Sequence, residues 1–213
     1  PDKDQSYVLG VLNQDQLRRS LFPLADTPKP QVRAEAHSLG LRVADKPDSY
    51  DICFIPDGDT QGYLRAHLGE APGPIVDRSG TELGRHRGHH GFTIGQRKGL
   101  DLRVPAPDGN PRYVLRIEPA GNRVVVGPGE SLLVTNLAGI RPTWTQHRVP
   151  GSWRGQVQYR AHGAALSATI TTTGDDQVRV ELDEPTRGVA PGQSMVFFDA
   201  TRVVGSATIS GTS

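Results

Sequence analysis

The sequence predicts a mainly β protein with an α-rich segment at its N-terminus. The 213 residues contain 25 glycines and 17 prolines but only 6% aromatic residues, a composition typical of many turns and short strands. Apolar residues have a helical spacing up to Gly69 and an alternating spacing after it. Beyond Pro128-Gly129, six short apolar segments follow at a spacing that suits a small barrel or a sandwich.

The N-terminal segment predicts two helical regions. Apolar residues from Ser6 to Leu21 fit a helical region with a turn near residues 13–15. A second helix is predicted from Gln31 to Leu39, with Pro30 as its first residue because proline suits that position and Gly40 as its stop. Residues 41–44 read as a short strand.

The middle of the chain predicts one helix and two hairpins. The turn at residues 57–60 can cap a helix from Gln61 to Leu68. Alternating apolar residues around the turns at residues 78–80 and 120–122 then predict the hairpins. The last part predicts six strands, at residues 132–134, 155–159, 166–171, 178–182, 195–198 and 203–209. The predicted domains are 1–57, 58–129 and 130–213.

Bulk properties exclude several classes of protein. A net charge of +1 gives no global basic field, so nucleic acid would have to bind through local patches. One cysteine excludes an internal disulfide framework and a multi-cysteine zinc site. No apolar run approaches the roughly 18 residues of a membrane span, and no signal peptide is visible. We therefore expect a cytoplasmic protein without a membrane partner. The chain begins at Pro1, so either an initiator methionine was removed or the chain is a piece of something longer.

The single cysteine, Cys53, lies where a polar run meets the apolar residues Cys-Phe-Ile. Free cysteine is among the most often buried residue types, so inert packing is one interpretation. The other is a nucleophile, which requires an electropositive and partly open setting. Composition favours the first and does not decide between them.

Two groups of side chains suggest a metal only superficially. His86, His89 and His90 are close in sequence, but adjacent residues of a strand point to opposite faces, so a surface or turn role is favoured over zinc. Asp57 and Asp59 are better explained by helix capping. No metal site is predicted.

Four stretches are informative as specific sequence motifs, in addition to what the composition indicates. They are Lys-Asp-Gln-Ser-Tyr at residues 3–7, Asp-Ser-Tyr-Asp-Ile-Cys-Phe-Ile at 48–55, Gly-Phe-Thr-Ile-Gly-Gln-Arg-Lys-Gly-Leu at 91–100, and Ala-Pro-Gly-Gln-Ser at 190–194. Their order and spacing resemble the tRNA-specific 2-thiouridylases over nearly the whole chain, from Lys3 to about Ile209. That family replaces the C2 oxygen of the wobble uridine in certain tRNAs with sulfur.

The resemblance implies a role for Cys53 and a missing part of the enzyme. Family members begin with a nucleotide-binding domain that carries a Ser-Gly-Gly-x-Asp-Ser loop for ATP, with Mg, and a first catalytic cysteine; neither occurs here. The resemblance therefore implies the tail of a catalytic domain, a central domain and a C-terminal β-barrel. It also implies that Cys53 carries a persulfide, loaded by a cysteine desulfurase or relay protein, and forms a disulfide with the missing cysteine. This chain alone is predicted to be inactive.

The resemblance also implies tRNA contacts, each with a plainer alternative. Lys3, Asp4 and Gln5 match tRNA-contacting residues, although a solvated helix start would look the same. Arg160 and Gln193 match two more, although the tyrosine that often follows the arginine is Ala161 here and Gln193 also suits a turn.

The Gln96-Arg97-Lys98 stretch is a possible phosphate or RNA loop, or a packed turn. Two other functions stay open for the chain as a whole. One is an RNA-binding β module without chemistry, and the other is a persulfide carrier for another acceptor.

Overall fold

The computed structural model describes residues 4–46, 55, 58–102, 104–106, 108–145 and 151–213. These residues form four α-helices, a four-stranded sheet and a closed six-stranded barrel. The mainly β fold with an α-rich N-terminal segment is thus confirmed. The boundaries at 57/58 and 129/130 stay a prediction.

The N-terminal segment contains three short helices, α1 (Ser6–Leu9), α2 (Gln14–Arg18) and α3 (Lys29–Ser38). The sequence predicted a turn near residues 13–15, and helix α2 begins there because Asn13 forms a capping box with Gln16, each side chain accepting from the other's backbone N–H. Helix α3 starts at Lys29, one residue before the predicted Pro30.

The strand predicted at residues 41–44 is wrong. Residues Arg42–Asp45 form a 3₁₀ helix that lies against α3, where Asp45 contacts His37 at 3.1 Å. A run of four residues carries too few apolar positions to distinguish a strand from a turn, and none of the described strands pairs with it.

Helix α4 (Thr60–Leu68) follows the sequence signals closely. The Asp59 carboxylate accepts from the N–H of Gly62 at 2.8 Å, which caps the N-terminus. Gly69 has φ of +76°, a conformation that glycine adopts at little cost, and the helix ends there.

The central sheet consists of β1 (Gly73–Val76), β2 (Glu82–His86), β3 (Arg112–Glu118) and β4 (Arg123–Pro128), in the order β2-β1-β4-β3. Both predicted hairpins are present as antiparallel pairs, and β1 and β4 are parallel neighbours. The Asp77 carboxylate accepts from the N–H groups of Ser79 and Thr81, which fixes the first turn.

The barrel contains β5 (Val134–Trp144), β6 (Ser152–Gln158), β7 (Leu166–Thr172), β8 (Gln177–Thr186), β9 (Ser194–Asp199) and β10 (Arg202–Thr212). It closes in the order β10-β5-β8-β7-β6-β9. The first strand was predicted at 132–134, but Leu132 lies in a 3₁₀ turn and the strand begins at Val134. Gly139 and Pro142 interrupt the apolar alternation of β5, so its sequence signal is weak.

The barrel interior is an aromatic and aliphatic core. Phe197 is fully buried, and its ring centroid lies 5.8 Å from that of Trp144 and 6.3 Å from that of Trp153. The central sheet has a smaller core around Ile75 and Val114, both fully buried. Within the described residues, no helix is long and apolar enough to cross a membrane.

Candidate functional site

The segment between β8 and β9, residues 187–193, is the meeting point of several predicted site residues. Gly188 is buried and has φ of +70°, and a Cβ there would collide with the Arg160 guanidinium. Both the backbone conformation and the close approach of Arg160 therefore require glycine at this position.

Arg160 holds this segment from the end of β6. Its Nη2 donates to the carbonyl oxygen of Gly188 at 2.6 Å, and its guanidinium carbon lies 5.4 Å from the centroid of the Tyr159 ring. The Tyr159 hydroxyl contacts Thr186 Oγ1 at 2.7 Å. One edge of the guanidinium is thus occupied by backbone, while the residue as a whole is exposed.

Gln193 has the turn role that its sequence context also allowed. Its Oε1 accepts from the N–H of Ala190 at 3.2 Å, across Pro191-Gly192. Its backbone carbonyl accepts from the N–H of Ile209 at 2.8 Å, which ties the turn to β10. The turn therefore fixes the side chain at one end of the barrel.

Asp4 and Gln5 lie at the start of α1, which docks on the same end of the barrel. The Tyr7 hydroxyl donates to the carbonyl oxygen of Ser194 at 2.9 Å, and burial raises the pKa of Tyr7. Gly10 faces the Val196 side chain so closely that a Cβ would lie 2.7 Å from its Cγ1. These contacts dock helix α1 against the first residues of β9, which directly follow Gln193.

The Asp4 carboxylate itself has a structural role. It accepts from the N–H of Ser6 at 2.7 Å and from the Ser6 hydroxyl, and these two hydrogen bonds hold the pKa of Asp4 below its ordinary value. Lys3 lies outside the described residues.

The Gln96-Arg97-Lys98 loop is a hydrogen-bonded turn that presents two cations. Gln96 Oε1 accepts from the N–H of Thr93 at 3.0 Å, and its Nε2 donates to the carbonyl of Lys98 at 2.9 Å. The backbone of the loop also pairs with Val114 of β3. Arg97 and Lys98 are exposed, so the packed-turn and phosphate-loop interpretations are compatible.

This loop approaches the segment that Arg160 holds. A Cβ placed on Gly95 would lie 3.5 Å from the Cα of Gly188. The structure therefore brings helix α1, which follows Asp4 and Gln5, to the Gln193–Ser194 end of this segment and Arg160 with the basic loop to the other end. Cys53 lies outside the described residues; Ile55, two residues later, is buried with 4% exposure.

The histidine cluster differs in part from expectation. His89 and His90 lie in a 3₁₀ turn as predicted, with His89 Nδ1 3.0 Å from Asn122 Oδ1. The surface role is wrong for His86, which is 4% exposed because it occupies an inward-facing position of β2. Neither of its ring nitrogens has a hydrogen-bond partner among the described residues. No three His, Cys, Asp or Glu side chains in the described part are arranged to hold a metal ion.

Known protein families and individual relatives match nearly the whole chain. Three successive family models match: the tRNA methyl transferase HUP domain over residues 1–57, the tRNA methyl transferase PRC-barrel domain over 61–128, and the aminomethyltransferase beta-barrel domain over 134–209. The tRNA-specific 2-thiouridylase MnmA of Acidothermus cellulolyticus is 60% identical over 210 residues, which are 99% of this chain and 58% of that protein. The protein of the same name from Cutibacterium acnes is 59% identical over 212 residues, with 100% and 58% covered.

The chain belongs to the tRNA-specific 2-thiouridylase family. Although two of the domain descriptions contain the words methyl transferase, the quoted relatives, which match essentially the whole chain, are named for 2-thiolation. The chain spans about 58% of the length of these relatives.

For this member of the 2-thiouridylase family, the sequence did not indicate three residues that shape the candidate site around residues 187–194. Tyr7 reads as one more apolar position of a helix, and its partner Ser194 is 187 residues away. Gly188 and Arg187 precede a Pro-Gly turn and give only a turn signal. Spacing within the chain contains no sign that Arg160 reaches Gly188, because that contact joins the ends of β6 and β8, two strands separated by β7 in the barrel.

Proposed function

We propose that this chain is part of an enzyme that thiolates tRNA at C2 of the wobble uridine. The observation that carries the proposal is the 60% identity to a tRNA-specific 2-thiouridylase over 99% of the chain. The proposed substrate is tRNA, the proposed location is the cytoplasm, and the proposed partner is a cysteine desulfurase or relay protein that supplies sulfur.

Cys53 is proposed as the residue that carries the sulfur. A carbonyl oxygen at C2 is a poor leaving group, so it has to be activated by adenylation before sulfur can replace it. The terminal sulfur of a Cys53 persulfide then forms the bond to C2 while AMP leaves. A second cysteine attacks the sulfur of Cys53, the S–S bond to the base breaks, and 2-thiouridine leaves as the thiolate, with a disulfide left behind.

The adenylation step is assigned outside this chain. The Ser-Gly-Gly-x-Asp-Ser loop expected to hold the phosphates of ATP, with Mg, does not occur among the 213 residues, and neither does a second cysteine. The residues present do not fit the nucleotide, so the chain alone is proposed to be inactive in thiolation.

The tRNA contact is proposed to involve Lys3, Asp4, Gln5, Arg160 and Gln193. Four of these lie in the described part, and the Tyr7–Ser194 and Arg160–Gly188 hydrogen bonds bring their elements around one segment. An exposed guanidinium and amides held at fixed positions suit the phosphates and unstacked bases of an RNA loop.

The test is a chimera in which this chain replaces the matching 210 residues of the Acidothermus cellulolyticus relative. Expressed in cells that lack their own 2-thiouridylase, the chimera should restore 2-thiouridine, measured by mass spectrometry of tRNA nucleosides. Cys53→Ser should abolish the product and leave tRNA binding intact. The chain without the added part should give none.

Each failure has a distinct meaning. Retained 2-thiouridine with Cys53→Ser would contradict the catalytic role of Cys53. A chimera that binds tRNA but gives no product would support the RNA-binding module, which the arrangement of Arg160 and Gln193 around one segment also favours. Persulfide on Cys53 with neither product nor tRNA binding would support a carrier for another acceptor.

A further inference from the structure

We propose that Arg97, Lys98 and Arg187 form a phosphate-binding cleft for the RNA backbone at the junction of the central sheet and the barrel. The proposal rests on the proposed function and deepens it, because it assigns part of the tRNA grip to residues other than Arg160 and Gln193. The cleft has one wall from each β unit.

The two walls are in contact. The central-sheet wall is the basic loop, whose Gly95 would place a Cβ 3.5 Å from the Cα of Gly188. The barrel wall is Arg187, which precedes Gly188 and whose guanidinium lies near Gly129, just after the end of β4. A Cβ on Gly129 would lie 3.5 Å from Arg187 Nη1 and 3.1 Å from Tyr113 Cε2. Tyr113 adjoins Val114, to which the basic loop is hydrogen-bonded, so the backbone of the loop and the guanidinium of Arg187 both approach the first residues of β3.

Both walls are held in place by their backbones. The Gln96 side chain is hydrogen-bonded to the backbone of Thr93 and of Lys98, and the N–H of Val114 donates to the carbonyl of Gln96 at 2.9 Å. On the barrel side, the carbonyl of Arg187 accepts from the Tyr159 hydroxyl at 3.2 Å. The side chains of Arg97, Lys98 and Arg187 therefore start from fixed turns, and among the described residues they form no hydrogen bonds that hold those turns.

The charge of the three side chains is not neutralised within the described part of the chain. Arg116, Arg123, Arg154 and Arg202 lie on the same two sheets, and each pairs with a carboxylate. Arg97, Lys98 and Arg187 form no such ion pair among the described residues, and all three are exposed. Unpaired cations on two fixed walls suit a run of backbone phosphates, which carry charge but no sequence information.

The experiment measures tRNA affinity of the 213-residue chain between 50 and 200 mM salt. The triple variant Arg97→Gln/Lys98→Gln/Arg187→Gln should bind less tightly at 50 mM. The slope of log affinity against log salt should become shallower by about 2 to 3, because each lost phosphate contact removes roughly 0.7–0.9. Unchanged circular dichroism and melting temperature would show that the variant still folds.

The matched control is Arg141→Gln. Arg141 is also exposed and lacks a described carboxylate partner, but its N–H donates to the carbonyl of Asp176, beyond the opposite end of β8 from Arg187. This variant should keep the slope of the unmodified chain.

An unchanged slope for the triple variant would overturn the inference, and if Arg160→Gln still weakened binding, the proposed function would stand. A chain that binds no tRNA at 50 mM salt would overturn both the cleft and the tRNA contacts proposed above. Unchanged tRNA binding with slower sulfur loading in the chimera would also overturn the RNA cleft and would indicate an acidic surface of the sulfur donor as its partner.

Discussion

The N-terminal helices and the C-terminal barrel use their apolar residues in opposite ways. The barrel encloses fourteen buried residues around Phe197 and Met195. None of the residues in α1, α2 and α3 is buried. Eight of the eleven exposed large hydrophobic residues of the described chain lie between residues 4 and 46, including Leu21 at 88% and Leu39 at 65% exposure.

The difference concerns where each region obtains its stability. A closed barrel buries its apolar side chains within its own strands, so its stability is internal. Short helices with exposed apolar faces have marginal stability in water and depend on packing against something else. For the helical segment, an apolar residue in the sequence therefore does not identify a core position.

The largest effect is expected at Phe197. Phe197→Ala removes a fully buried ring that packs against two tryptophans and should lower the free energy of unfolding by about 3–5 kcal/mol. Urea denaturation followed by tryptophan fluorescence measures it, because Trp144 and Trp153 report on the barrel directly. A decrease in the free energy of unfolding of less than about 1 kcal/mol would contradict the conclusion that the barrel is stabilised by its own core.

The next effect concerns the pH dependence of stability, which should be set by His86 in the central sheet. Burial lowers the pKa of His86, and the nearby His89, Arg85 and His90 lower it further, while the neighbouring backbone of Asn122, which forms no hydrogen bond of regular geometry with the ring, offsets part of this. As the pH falls through about 6.5, the ordinary value for histidine, the unfolded chain binds a proton that the folded chain does not. Stability should therefore fall between pH 7.5 and 5.5.

The measurement is the melting temperature at those two pH values for the unmodified chain and for His86→Gln, in which the drop should be smaller. His67→Gln, at an exposed position of helix α4, is the matched control and should leave the drop unchanged. Equal drops for all three proteins would contradict the role of His86.

A smaller effect is expected where the two compared regions meet. Tyr7→Phe removes the hydrogen bond to Ser194 and should weaken docking of α1 by about 0.5–1.5 kcal/mol. Amide hydrogen exchange should become faster at Leu9 and Gly10, while the strands of the barrel keep their protection. Faster exchange throughout the barrel would mean that the helix stabilises the whole fold.

The smallest effect is expected at Leu21. Leu21→Ser should change the free energy of unfolding by no more than about 0.5 kcal/mol, because the side chain is already 88% exposed. It should reduce binding of a hydrophobic dye, since it removes part of the apolar surface of the helical segment. A cost comparable to that of Phe197→Ala would show that Leu21 is buried in solution.

Sequence reasoning succeeded where the determinants are local. The cap at Asp59, the stop at Gly69 and the hairpin turn at Asn122, with φ of +48°, each depend on a few neighbouring residues. Most of β5, residues 135–144, was missed because the pairing of that strand with β8 and β10 overrides its interrupted pattern. Long-range pairing, rather than composition, decides such elements.

The candidate site shows the same distinction between features with local determinants and features that depend on long-range contacts. Motifs identified Asp4, Gln5, Arg160 and Gln193, but not the geometry that gathers them. That geometry depends on the Tyr7–Ser194 and Arg160–Gly188 contacts, between residues far apart in the chain. The role of Gln96 was left between two interpretations because only its hydrogen bonds to Thr93 and Lys98 distinguish a rigid support from a ligand.

The hydrogen bonds between the basic loop and Val114 have a consequence for self-association. In the central sheet β3 is an outer strand, and Gly95 and Gln96 occupy the backbone groups of Val114 that would otherwise be open. An unprotected outer strand is a template on which another molecule can add a strand of its own. Shortening this loop should therefore promote aggregation at high protein concentration, even with every barrel residue unchanged.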